Sequence, residues 1–419
     1  MNNEVVATTS WPPILRAFRY RYFRWMFAGQ LVSLIGTWVQ NIALSWLVYR
    51  LTGSPVMLGI ANFANQIPGL IFSPFGGVIA DRFDRRRIII VMQSISAVLA
   101  LIMGVLTLTG LVEVWHIFVI GTLLGTCSAF EIPARHALVS ELVERPDLPN
   151  AIALNTTAFN ASRVVGPGIA GVLVGLIGEG WCFLANAISF VPVIAGLAFL
   201  HMTLRERPVQ TMPAFKAIFE GFGYFAKSPP LRFTAIVVCG IGIAGNGYTT
   251  FMPVFADKVL HGGAHTLGWL MGAAGFGALL GALGLASRAT HVGLSRWIEF
   301  GAIGLGVCLI AFSWSPWLPL SMLLLAGVGI CWVLGSTSAN TLFQSTVPDA
   351  MRGRAVSIYV MILMGGTPIG ALLGGALAEV IGVSWTTSIG GAICVGAGVW
   401  YGKQMARLRA ARTTTTTAA

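Results

Sequence analysis

The feature that most constrains this chain is a succession of apolar blocks, each about 20 residues or longer and nearly free of charge. At a rise of ~1.5 Å per residue, about 20 such residues cross the ~30 Å hydrocarbon core of a bilayer as a helix. Lipid offers no hydrogen-bond partner to the backbone, so only helices and closed barrels span it, and these blocks are far longer than barrel strands of ~10 residues. Composition agrees: 56% of the 419 residues are hydrophobic and 10% are charged, against about 25% charged in soluble domains. The 51 glycines suit helices that pack closely in lipid. The expected fold class is an all-α membrane protein with twelve transmembrane helices. They are predicted near 26–49, 56–80, 87–110, 115–139, 151–177, 181–202, 232–256, 265–288, 294–313, 317–343, 354–381 and 385–403.

Charge placement orients the layout. With the N-terminus in the cytoplasm, only Arg50 and Lys258 of the 26 lysines and arginines fall outside, and Arg163 falls within a span. All the rest lie on the cytoplasmic side, as positively charged loops do. The net charge of +11 is therefore read as a topology signal, and the scatter of basic residues over short loops argues against nucleic acid. Residues 1–25 lack the short apolar core and small-residue cleavage site of a signal peptide. The six cysteines form no CxxC pair and sit in apolar blocks, as buried thiols rather than a disulfide frame or metal site.

The expected domains are a cytoplasmic N-terminal segment (1–25), a six-helix bundle (26–202), a polar cytoplasmic linker (203–231), a second six-helix bundle (232–403) and a cytoplasmic tail (404–419). The halves echo each other. Ile177-Gly178 stands before Trp181, and Ile381-Gly382 before Trp385, each after a Gly/Pro-rich block. The acidic string Glu141–Asp147 and the shorter Ser345–Asp349 lead into those blocks. Paired repeats of this kind build one major class of transporter.

After the second block comes Gly77-Val-Ile-Ala-Asp81-Arg82-Phe-Asp84-Arg85-Arg86-Arg87. It resembles the cytoplasmic loop signature of the major facilitator superfamily. In span five, Ser162-Arg163-Val-Val-Gly166-Pro167-Gly168-Ile-Ala-Gly171 resembles that superfamily's antiporter motif. Phe130-Glu131-Ile-Pro133-Ala-Arg135, Leu148–Asn155, and Val347-Pro348-Asp349 with Arg352-Gly353-Arg354 are similar to its enterobactin-exporter and macrolide-efflux branch. Two departures stand out. Asp84 replaces a common glycine, which suggests an extra ion pair in the loop, and Gly121 stands where drug exporters carry an arginine.

The resemblance implies conformational switch residues at Gly77, Asp81, Arg82, Arg85, Arg86, Arg87, Gly166, Pro167, Gly171, Arg352 and Arg354. Gly77 is expected to permit close helix approach, and Pro167 to bend its helix by removing a backbone hydrogen bond. Ionisable groups at membrane depth carry the mechanism in such proteins. Glu131 is expected to be the proton-responsive group, paired with Arg163 and attended by Arg135. Glu299, Glu379 and His136 lie near span ends, where interface roles are expected. From the superfamily's architecture, a substrate cavity is expected from Trp38, Gln40, Asn41, Phe130, Asn246, Tyr248 and Trp332, which suits a bulky, partly apolar molecule.

These readings make the chain an efflux permease of the bacterial inner membrane. It is expected to act as a monomer by alternating access, with a small molecule and protons as partners and no cofactor beyond the proton gradient. A nutrient importer is the alternative. No GxxxxGK[ST] string for ATP, and no HExxH or GxSxG string for a lipid-modifying enzyme, occurs in the sequence.

Overall fold

A computed structural model describes residues 12–199, 228–245, 247–286, 293–348 and 352–417. The expected linker at 203–231 lies almost wholly outside them, as does Asn246. The described residues are helical throughout. The helices are α1 (Arg21–Thr52), α2 (Pro55–Arg82), α3 (Arg85–Leu108), α4 (Val114–Leu142), α5 (Leu148–Ile177), α6 (Glu179–Ser189), α7 (Val191–Ala198), α8 (Pro229–Gly240), α9 (Ala264–Ala286), α10 (Leu294–Ser313), α11 (Leu318–Thr346), α12 (Arg352–Ile381) and α13 (Val383–Thr417).

Eleven segments of the described residues are long and apolar enough to cross a membrane. The expected twelfth, 385–403, lies in α13, whose first turns hold Ser384, Thr386, Thr387 and Ser388. Large apolar side chains face outward, with Leu323 70% exposed and Val380 82% exposed, a surface suited to lipid and not to water.

Two expected spans differ in detail. The run after α8 is broken into a π turn at Ile241–Gly245, a 3-10 turn at Gly247–Phe251 and a second π turn at Phe255–Val259. Gly240, Gly242, Gly245, Gly247 and Pro253 account for this, since glycine weakens helix and proline interrupts it. The span near 181–202 divides at Phe190, because Pro192 opens the first turn of α7.

The chain divides into two compact units. The first holds Met1–Thr52 and Ala64–Thr211, the second Gly53–Phe63 and Met212–Ala419. In the first, α1 packs on α5 and α6, and α3 on α4 and α6. Arg50, at the end of α1, donates from Nε to Glu179 Oε1 at 2.8 Å, which ties it to the start of α6. In the second, α10 packs on α11 and α13, and α9 on α11. The α9–α11 seam is closed by reciprocal glycines: a Cβ at Gly277 would overlap the Ala326 carbonyl, and one at Gly329 the Ala274 carbonyl. In this unit Glu379 accepts from Ser54 Oγ at 2.8 Å and Val56 N at 3.4 Å, a carboxylate at the N-terminus of α2.

The echo between the halves has a backbone counterpart. Gly178 (φ 81°) ends α5 and Gly382 (φ 86°) follows α12, both in the positive-φ region that favours glycine.

Candidate functional site

Three constellations in the first unit hold the residues singled out above. The first is the arginine-rich turn between α2 and α3. Asp84 caps α3 by accepting from Arg86 N at 2.9 Å and Arg87 N at 3.4 Å, and its other oxygen lies 3.5 Å from Arg87 Nε. The extra tie expected at Asp84 is therefore chiefly a helix cap. Arg85 turns inward. Its guanidinium pairs with Glu141 at the end of α4, both side chains nearly buried, and its Nε donates to Ala80 O at 2.9 Å. Asp81 is exposed and stands 3.7 Å from Arg85. Arg86 donates to Ala198 O at 2.6 Å at the end of α7. Arg82 lies exposed.

Gly77 does not permit the helix approach expected of it, since a Cβ there would meet open space. The contact belongs to Gly76, where a Cβ would overlap the Ala129 carbonyl. That carbonyl is special. Pro133, inside α4, has no N–H to give the carbonyl four residues earlier. The Ala129 oxygen, without a donor from Pro133, lies against Gly76, where there is no side chain to exclude it.

The N-terminal turn closes on the same end of this unit. Arg19 Nη2 lies 2.7 Å from Asp147 Oδ2, and the Tyr20 hydroxyl donates to the same oxygen at 3.0 Å. Asn150 accepts from Ala17 N at 2.9 Å and donates to Ile14 O at 2.7 Å. Burial pushes the Tyr20 phenol above its ordinary value, so it remains a donor at neutral pH.

The second constellation is the buried carboxylate. Glu131 lies eleven residues before the end of α4, about 16 Å along the helix. It is 8% exposed. One oxygen accepts from both Arg135 Nη1 and Gln93 Nε2 at 3.1 Å. The expected pair with Arg163 is not formed. Arg135 sits one turn further along the same helix and reaches Glu131 without crossing to another element. Gln93 Oε1 and Arg135 Nε are buried without a partner, so the network retains polar capacity at depth.

The third lies on α5, which runs unbroken through Pro167. Gly166 seats Trp38 of α1, since a Cβ there would overlap the Trp38 Cβ, and Gly171 is buried further along. The Trp38 and Phe159 rings lie 6.4 Å apart. Arg163 is half-buried near the middle of α5, and its side chain has no ion pair or hydrogen bond to any described residue.

The expected cavity residues fare unequally. Phe130 stacks on Phe72 at 6.3 Å. Gln40 is withdrawn from any cavity: it is 6% exposed and its Oε1 accepts from Asn186 Nδ2 at 2.7 Å. Asn41 is exposed. In the second unit Tyr248 is buried and Trp332 half-buried. Arg352 opens α12, and the side chains of Arg352 and Arg354 lie outside the described residues. No group of three or more His, Cys, Asp or Glu suited to a metal occurs among the described residues.

The family model of MFS_3, the transmembrane secretion effectors, matches residues 8–416. The chain belongs to this family. It is 28% identical over 378 residues to the staphyloferrin A transporter of Staphylococcus aureus, covering 89% of this chain and 94% of that one. It is 28% identical to the multidrug efflux pump Tap of Mycolicibacterium fortuitum, covering 84% and 88%. It is 25% identical to the enterobactin exporter EntS of Shigella flexneri, covering 86% and 85%. Among solved structures, a point mutant of the nucleoside transporter NupG superposes with a TM-score of 0.75 at 12% identity, covering 94% and 100%. That likeness speaks for the fold alone. The chain is a multi-pass membrane transporter of the major facilitator type, with efflux and siderophore-export relatives.

Proposed function

We propose that this chain exports a small, bulky, partly apolar molecule across the bacterial inner membrane by alternating access, in exchange for protons. On this reading it has twelve spans in two six-helix bundles, joined by a cytoplasmic linker, with both termini in the cytoplasm. Efflux pumps and siderophore exporters among its relatives support the direction.

The observation that carries the coupling is Glu131. A carboxylate at membrane depth is costly and persists where it serves a purpose. Here it is buried, held by one cation and one amide that both address the same oxygen. Taking up a proton would weaken its hold on Arg135 and free that arginine to move. The carboxylate's charge thereby governs the α3–α4 contact, and its protonation is the step that the gradient drives.

The test is transport in oriented vesicles. Inverted vesicles, whose cytoplasmic face is outward, accumulate substrate when their interior is acidified and lose it when the gradient is collapsed. Accumulation in right-side-out vesicles instead would establish import.

A further inference from the structure

We infer that Arg163 is the anion-binding group of the transport path, so that the exported molecule is a bulky organic carboxylate. The inference rests on the export reading and names its substrate class.

Arg163 lies fifteen residues after Leu148 and fourteen before Ile177, about 20 Å from either end of α5. It cannot reach a headgroup from there, and a lipid-facing guanidinium at that depth is strongly disfavoured. Within the protein, a cation at this depth calls for a counter-ion. The obvious one, Glu131, is engaged by Arg135 and Gln93, and Arg163 has no ion pair among the described residues. A fixed partner is therefore replaced by water and a mobile anion.

Two further features mark this turn of α5 as wet. Pro167 has no N–H for the carbonyl of Arg163, four residues earlier. Thr156 and Asn160, at helical spacing on the same face, are exposed; Thr156 Oγ1 donates to Ile152 O at 2.9 Å and Asn160 Nδ2 to Thr156 O at 3.0 Å, which leaves the Asn160 Oδ1 an exposed acceptor that lipid cannot satisfy and water can.

The same stretch also offers an apolar wall. Phe159 is 44% exposed and lies 6.4 Å from Trp38, one turn from Arg163. Rings beside a planar guanidinium suit a molecule with a hydrophobic body and a carboxylate, which arginine grips with two parallel hydrogen bonds. A cationic drug would meet like charge at this point.

The experiment uses the full chain in lipid nanodiscs and two xanthene dyes of opposite charge, fluorescein and rhodamine 6G, titrated by fluorescence anisotropy. The wild type is expected to bind fluorescein. Arg163→Gln weakens that binding about tenfold or more, the loss of a charge-assisted bidentate contact. Arg163→Lys, which keeps the charge but not the two parallel hydrogen bonds, falls between the wild type and the Gln variant, and rhodamine 6G binds the Gln variant at least as well as the wild type. A second measurement needs no variant: 1-naphthoate displaces fluorescein from the wild type and 1-naphthamide does not. Absence of fluorescein binding, equal binding by the Gln variant, or equal displacement by the amide overturns the inference. These readouts need no gradient. A chain that exports but prefers rhodamine 6G ends this inference and leaves the export reading intact. A chain that binds fluorescein through Arg163 but moves no solute does the reverse.

Discussion

Glu141→Gln tests whether the inward turn of Arg85 holds α3 to α4. The Arg85 and Glu141 side chains are 6% and 8% exposed, and Arg85 also donates to the Ala80 carbonyl, so it cannot swing out to solvent without losing two contacts. The substitution keeps the size and an acceptor oxygen but removes the charge. Arg85 is then a nearly buried cation with only Asp81, 3.7 Å away and mostly exposed, to answer it. Removing one member of a buried pair costs about 3–5 kcal/mol. The partial compensation by Asp81 and solvent at the helix end argues for the lower part of that range. Replacing both residues, as Arg85→Met with Glu141→Gln, is expected to recover more than half the loss, because the uncompensated charge is gone. The assay is reversible unfolding of the full chain in mixed micelles, followed by circular dichroism for both single variants and the double variant. Independent, additive effects in that cycle, or a Glu141→Gln loss below about 1 kcal/mol, would refute the argument.

Other consequences are open to the same assay. Gly76→Ala drives a methyl into the Ala129 carbonyl and is expected to destabilise by about 1–3 kcal/mol, whereas Gly77→Ala, with open space at its Cβ, is neutral or slightly stabilising. Asp84→Ala removes the cap of α3 and is expected to cost about 1 kcal/mol, visible as lowered thermal stability. Asn186→Leu leaves the buried Gln40 amide without its partner and is expected to cost about 1–3 kcal/mol, while Gln40→Leu with Asn186→Leu costs less than the sum of the two single changes.

The membrane character, eleven of the twelve expected spans to within a few residues, and the family could be read from the chain. The reason is physical: a lipid solvent imposes a length and an apolarity that no fold can evade. The helix ends at Gly178 and Gly382 were also readable, because a glycine after a long apolar block has few other uses. Local contacts on one helix were available too. Glu131 and Arg135 are four residues apart, yet the expected pair was with Arg163 of the next span, and the nearer partner prevails in the structure. Gln93, the single amide in its apolar block, was the missed sign of the same network.

What remained hidden was register between helices. The sequence pattern points to Gly77, whereas the close approach occurs at Gly76, because only the packed structure aligns that residue with the carbonyl released by Pro133. Gln40 looked like a cavity amide until Asn186, 146 residues away, proved to take its oxygen. The breaks at Ile241–Gly245 and Phe255–Val259 follow from clustered glycines and a proline that an apolarity count does not weigh.

Coupling through Glu131 stands or falls with the behaviour of Glu131→Gln in proteoliposomes, measured both for uphill accumulation under a pH gradient and for exchange of labelled against unlabelled substrate. The account predicts that the variant continues to exchange but accumulates nothing against a gradient. A Gln variant that concentrates substrate as the wild type does would contradict it.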